Sequence, residues 1–200
     1  MTQTKTARLL KLIQRKRIVR SQELIAAGIP SNYLTRLVKS GQIQKLGRGI
    51  YATETLPASE HISLLEVSRK SPKAVICLLS ALRFHEIGTQ NPHEVWIAID
   101  VKAWTPRIDS PAVHIARFSG DALTFGIEKR RISGLELQVF SPAKTVADCF
   151  KFRNKIGVDV AIEALRDCYR QKKASMDELW EAAKICRVAN VMRPYLESLN

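Results

Sequence analysis

Although the chain has four cysteines, it contains no Cys-x-x-Cys pair. That absence removes the usual dithiol and zinc-ribbon spacings. Cys77, Cys149, Cys168 and Cys186 each fall in a helical pattern, so they read as reduced core thiols of a cytoplasmic protein. No apolar run approaches the ~20 residues that span a bilayer. The basic N-terminus lacks the apolar centre of a secretory signal. Low-complexity segments and internal repeats are also missing. His61, His85, His93 and His114 include no i, i+4 pair, so a helical metal site is not expected. Ser80 and Ser141 have no nearby His and Asp for nucleophilic work. Gly47-Arg48-Gly49 is too short for a P-loop. No catalytic residue, metal ligand or cofactor site is therefore expected.

Acid is scarce in one region. Residues 1–51 contain eleven Lys/Arg and a single acid, Glu23, a net of +10. The remaining residues carry only +3 of the formal +13. Such asymmetry points to a polyanionic partner for the front of the chain.

What is present there has strong punctuation. Residues 4–15 predict a helix, with Leu9, Leu10 and Ile13 as a narrow apolar stripe. Arg15-Lys16-Arg17 follows as a turn, and Ile18-Val19 is placed to pair as a third strand beside a hairpin. Ser21 reads as a helix cap, with Glu23 in the first turn. Gly28 and Pro30 end that helix. Ser31 then reads as the cap of a second helix, whose Leu34, Leu37 and Val38 share one face. Asn32, Tyr33, Thr35, Arg36 and Lys39 fall on the other, where they could reach phosphates and base edges. Gly41 stops the helix. Residues 43–46 and 50–52 predict two strands around Gly47-Arg48-Gly49, a hairpin tip able to press a cation against phosphate. The pattern predicts a winged helix-turn-helix over residues 1–53, with DNA contacts from Ser31, Asn32, Tyr33, Thr35, Arg36, Lys39, Lys45 and Arg48. A small helical unit with a solvated basic surface is the bland alternative.

Residues 54–60 predict a hinge, and residues 61–200 an α+β domain in which a small sheet is packed by helices. Helices are expected over 61–70 and 73–88, the second with Ile76, Leu79, Leu82 and Phe84 mostly inward. Strands are expected over 94–101, 111–118, 127–132 and 135–140, the last two joined by a turn at Ser133-Gly134. Ser141-Pro142 is a helix start. Ala161, Ile162, Leu165, Cys168 and Tyr169 stripe the next helix, and Ser175 with Glu178 forms a capping box. Met192, Tyr195, Leu196 and Leu199 stripe the last, which Pro194 kinks or restarts.

The string GQIQKLGRGIYAT after a capped basic helix resembles the N-terminal domain of AbiEi-type antitoxins from type IV toxin–antitoxin (abortive infection) systems. SALRFHEIG (Ser80 to Gly88) and SPAKTVADCFKFRNKIGVDVAIEAL (Ser141 to Leu165) resemble that family's second domain. The resemblance implies a winged helix that binds inverted repeats in double-stranded promoter DNA and represses its own operon. It implies a second domain that counteracts a nucleotidyltransferase-like toxin without needing a stable complex. It implies no catalytic residue and no cofactor.

Two other functions stay open on the residues alone. Asp100-Val101-Lys102 resembles half of a metal-dependent nuclease site, for which Asp109 is the nearest second carboxylate. Asp100 capping the end of its strand is the simpler reading. A ligand-sensing transcription factor is the other, although few polar groups converge on a pocket. Lys129-Arg130-Arg131 reads as a solvated sheet edge or as an extension of a nucleic-acid surface.

Overall fold

The computed structural model describes residues 18–26, 28, 30–47, 49–53, 61–132 and 135–199. The expected helix over 4–15, the Arg15-Lys16-Arg17 turn, Arg48, the 54–60 hinge and the Ser133-Gly134 turn lie outside the described residues. The chain divides into two compact units, residues 1–66 with 131–136, and residues 67–130 with 137–200.

In the first unit, strand β1 (Ile18–Arg20) leads into helices α1 (Ser21–Ala26) and α2 (Ser31–Lys39). Strands β2 (Ile43–Gly47) and β3 (Ile50–Thr53) follow. β3 lies between β1 and β2 and is antiparallel to both. Ile18-Val19 thus pairs as expected, Val19 opposite Tyr51. Leu24, Leu34, Leu37 and Ile43 form the core of this unit, with Tyr33, Val38 and Tyr51 against them.

The second unit is α+β and holds most of the five-stranded mixed sheet β6-β5-β4-β8-β7, of which residues 131–136 are grouped with the first. Its strands are β4 (Val75–Ile76), β5 (Val95–Asp100), β6 (Val113–Phe118), β7 (Ile127–Ile132) and β8 (Leu135–Phe140). β4 is antiparallel to β5 and parallel to β8, while β5 and β6 are parallel. Leu135, Leu137 and Val139 are buried and Glu136 is exposed, the period-two alternation of a strand with one face on the core.

The helices are α3 (Ile62–Lys70), α4 (Leu78–Phe84), α5 (Asp121–Thr124), α6 (Pro142–Lys151), α7 (Arg153–Ile156), α8 (Val158–Arg170), α9 (Met176–Ile185) and α10 (Ala189–Glu197). The single helix expected over 73–88 is wrong in its first turn and ends at Phe84, short of Gly88. Val75-Ile76 is a strand at the centre of the sheet, fully buried, and α4 begins only at Leu78. A continuous apolar run such as Ala74–Leu79 has no period that separates a buried strand from a buried helix. The β-branched pair settles here as strand because both faces of the sheet are covered.

α6 organises this unit. It packs against α4, α8, α9 and α10. Eight consecutive residues, Ala143 to Phe150, are buried, so the helix has no solvent face. Ser141 caps it, accepting from the Lys144 N–H, and Pro142 occupies the first turn. The Ser141 N–H donates to Gly126 O at 2.6 Å. A Cβ on Gly126 would sit 2.8 Å from Lys144 Cβ, in a backbone with φ +69, so this approach requires glycine.

Candidate nucleic-acid interface

The outward surface of α2 follows from its period. Leu34 and Leu37 are buried and Val38 half-buried, which turns the opposite side to solvent. Asn32, Thr35, Arg36 and Lys39 are all exposed, at i, i+3, i+4 and i+7, and form one stripe. Tyr33, expected beside them, is half-buried and packs on the Leu24–Ile43 core. Its ring bridges the buried and exposed faces. Ser31 is the first residue of the helix and Pro30 occupies the cap position, with no side-chain cap bond. Proline presets a φ of −64 there, and Tyr33 N–H donates to Pro30 O at 3.1 Å.

The C-terminus of α2 is closed mainly by backbone bonds, with the Ser40 hydroxyl donating to Leu37 O at 3.1 Å. Gly41 (φ +71) donates to Val38 O at 3.1 Å, and Gln42 donates to Leu37 O at 3.0 Å. Those two bonds form a Schellman motif, which needs a left-handed residue at Gly41. The chain is thereby turned straight into β2. Lys45 is exposed on that strand, opposite Tyr51. The register shifts between Lys45 and Gly47, a bulge that increases local twist near the tip. Ser21 N–H donates to Gly49 O at 2.9 Å, tying the start of α1 to the far side of the tip. Arg36, Lys39 and Lys45 are the exposed cations of this surface among the described residues.

The second unit answers several smaller questions. Asp100 Oδ1 accepts from the Lys102 N–H at 2.7 Å and so caps the turn after β5. Among the described residues no group of three or more His, Cys, Asp or Glu is placed to hold a metal. Lys129, Arg130 and Arg131 are exposed on β7, an edge strand, where Arg130 pairs with Glu128 at 2.6 Å. His85 is buried, with Nε2 2.7 Å from Phe140 O, and burial lowers its pKa. The four cysteines are free and buried, as expected.

Two features are not evident from the sequence. Lys144 and Asp148, one turn apart on α6, form an ion pair with both side chains fully buried. A helix enclosed on all sides cannot leave such groups unpaired, because a lone buried charge is very costly. Lys144 Nζ also lies 4.0 Å from the centre of the Phe140 ring and 4.8 Å from that of Phe118. Cys186 Sγ donates to Asp148 Oδ1 at 3.4 Å. Burial raises the Asp148 carboxyl to about 6 despite Lys144, and pushes the Cys186 thiol up to about 12. The second feature is a cleft of about 710 Å³ beside α8, in a chain where few convergent polar groups are expected. Among its lining residues Asp167 and Arg170 form an ion pair. Asp167 accepts from Gly88 N–H at 2.8 Å, and from Arg170 and Gln171, bonds that hold its carboxyl below the usual range.

α2 thus presents a polar, cationic outer stripe and is closed onto a β-hairpin. Residues 7–53 match the model of a family described as transcriptional regulator, AbiEi antitoxin. Over those residues the match agrees with the resemblance read from the wing string. The strings Ser80–Gly88 and Ser141–Leu165 lie outside it. No curated protein matches the chain. Among solved structures, the RV2827C protein from Mycobacterium tuberculosis is similar, with a TM-score of 0.61 at 13% identity, over 100% of this chain and 83% of that one. At that identity the likeness shows the fold alone. Among the described residues no helix is long and apolar enough to cross a membrane.

Proposed function

We propose that residues 1–53 are a winged helix-turn-helix and that the chain is a sequence-specific DNA-binding antitoxin that represses its own operon. The observation that carries this is the exposed stripe Asn32, Thr35, Arg36 and Lys39 on α2, directly opposite buried Leu34 and Leu37. The order strand, helix, helix, hairpin, with β1 added to the hairpin, supports the reading, as does the family matched over residues 7–53. In it α2 enters the major groove, Asn32 and Thr35 with Ser31 and the Tyr33 edge lie nearest the bases, and Arg36, Lys39, Lys45 and Arg48 take phosphates. Its targets are inverted repeats in promoter double-stranded DNA, and a dimer or paired loading supplies the second half-site. The toxin it counteracts is a nucleotidyltransferase-like protein encoded alongside, through residues 61–200.

A mobility-shift titration on the chain's own promoter tests this. If about six phosphates per protomer are neutralised, log K falls against log[salt] with a slope near −5. Arg36→Ala and Arg48→Ala each weaken binding, and Arg48→Ala acts more evenly across sequences, because phosphate contacts position without specifying. A slope near zero, or no shift of promoter DNA, refutes the proposal.

A further inference from the structure

Trp104 is 97% exposed, in the segment that returns from the end of β5 to the start of parallel β6. Such crossovers are usually helical. This one is irregular, and it is fixed at both ends. The Val101 N–H donates to Phe118 O at 2.8 Å, and Asp100 accepts the Lys102 and Ala103 N–H groups at 2.7 and 3.0 Å. One guanidinium then clamps the residues around the indole. Arg117 Nη1 donates to Asp100 O, Val101 O and Ala103 O at 3.3, 3.1 and 2.9 Å, and Nη2 donates to Thr105 Oγ1 at 2.9 Å. At the far end Lys70 Nζ donates to Ser110 O, and Val95 N–H donates to Ala112 O at 2.9 Å. The backbone on either side of Trp104 is therefore positioned while its ring is left in water.

The surroundings narrow what the ring can meet. Lys102 and Arg107 flank it in sequence and are exposed. Arg117 is bonded to carbonyls and a hydroxyl, which do not cancel its charge. The nearby carboxylates are Asp100, committed to the Lys102 N–H, and Asp109. Val101, 51% exposed, is the other large apolar side chain on the segment's surface. Membrane insertion needs a contiguous apolar patch, and a protein hot spot needs a well-packed, desolvated setting around its anchor, which a 97% exposed ring on a polar segment does not have. A lone indole between cations suits a partner with a flat face and flanking negative charge. A nucleobase between phosphates has both, but only when it is unpaired, because duplex bases are already stacked.

The geometry points to Val101–Arg107 as a binding site for unpaired nucleotides of RNA or single-stranded DNA, with Trp104 stacking on a base and Lys102 and Arg107 taking adjacent phosphates. This site belongs to the second unit, and the inference does not depend on duplex recognition by α2.

The test uses the full chain and fluorescein-labelled 12-residue oligo(U) and oligo(dT), read by anisotropy, with tryptophan emission recorded in parallel. Wild type binds at least one of the two with quenching, and the stronger arm identifies the sugar. Trp104→Ala weakens that binding about tenfold or more, and Trp104→Phe restores part of it. Arg107→Gln lowers the magnitude of the salt slope by about 0.7. A hairpin duplex of matched length binds Trp104→Ala and wild type alike. Equal single-strand affinity in Trp104→Ala and wild type overturns the proposal. So does an effect of Trp104→Ala confined to phosphatidylserine–phosphatidylcholine vesicles.

Discussion

Replacing Lys144 by methionine keeps most of the aliphatic stem and removes the ammonium, which lies over Phe118 and Phe140 and which Asp148 faces. Both side chains are wholly out of solvent, so water cannot replace the lost partner. Breaking such a pair from one side costs about 3–5 kcal/mol, whereas exchanging both members for apolar groups of similar size is often close to neutral. The expected pattern is therefore strongly non-additive. Lys144→Met loses about 3–5 kcal/mol at pH 7.5, and Lys144→Met/Asp148→Leu falls within about 1.5 kcal/mol of wild type. Urea unfolding followed by tryptophan emission measures this cleanly. Trp96, Trp104 and Trp180 are the chain's three tryptophans, and all belong to the second unit. The pH dependence gives an independent check. Burial raises the Asp148 carboxyl from 3.8 to about 6, and Lys144 opposes that rise. Without Lys144 the carboxyl moves higher still. A raised carboxyl binds its proton more tightly in the folded state, so its contribution is fully present below pH ~3.8 and is lost as pH rises through the folded value. Relative to wild type, whose carboxyl titrates at about 6, Lys144→Met thus recovers stability as pH falls from 7.5 toward 6, by up to about 1.4 kcal/mol per pH unit, and the difference levels off below that. Taking the difference from wild type removes the opposite trend of depressed carboxyls such as Asp167. Single-variant costs that simply sum in the double variant, with no acid recovery, refute the buried-pair account.

Other outcomes follow from local geometry. Ser175→Ala removes the reciprocal cap of α9, in which Ser175 Oγ accepts the Glu178 N–H while the Glu178 carboxylate accepts the Ser175 N–H at 2.7 Å. It lowers stability by about 1 kcal/mol in the same urea experiment. Gly41→Ala meets no atom within 4 Å but must adopt φ +71, so its cost of about 1–2 kcal/mol is purely conformational. That loss appears in far-UV circular dichroism of the first unit and leaves tryptophan emission unchanged.

How far the sequence discloses this structure depends on whether a residue's neighbours in space are also its neighbours in sequence. Ser141-Pro142, the Ser175–Glu178 box and the β8 alternation are local signals, and each appears where the sequence places it. The α2 stripe is legible for the same reason, since period alone separates Leu34 and Leu37 from Asn32, Thr35, Arg36 and Lys39. Tyr33 departs from its expected face because an aromatic at the edge of that stripe goes wherever the core has room, and Ile43 and Tyr51 supply that room from the hairpin. Val75-Ile76 departs from the expected helix because its partners are Ala98, Ile97 and Val139, all distant in sequence. Lys144 and Asp148 look like an ordinary exposed i, i+4 pair. Only the arrival of α4, α8, α9 and α10 around them makes them interior.

That enclosure also sets an order of events during synthesis. α6 receives Met192 and Leu196 among its core companions from the last helix, so its apolar flank stays uncovered while the ~45 residues after Lys151 are made, roughly 2–9 s at usual translation rates. Newly made chains therefore pass through an interval in which Phe150 and its neighbours are open to chaperones and proteases. The supply of mature protein then depends on how quickly the ribosome crosses that final stretch.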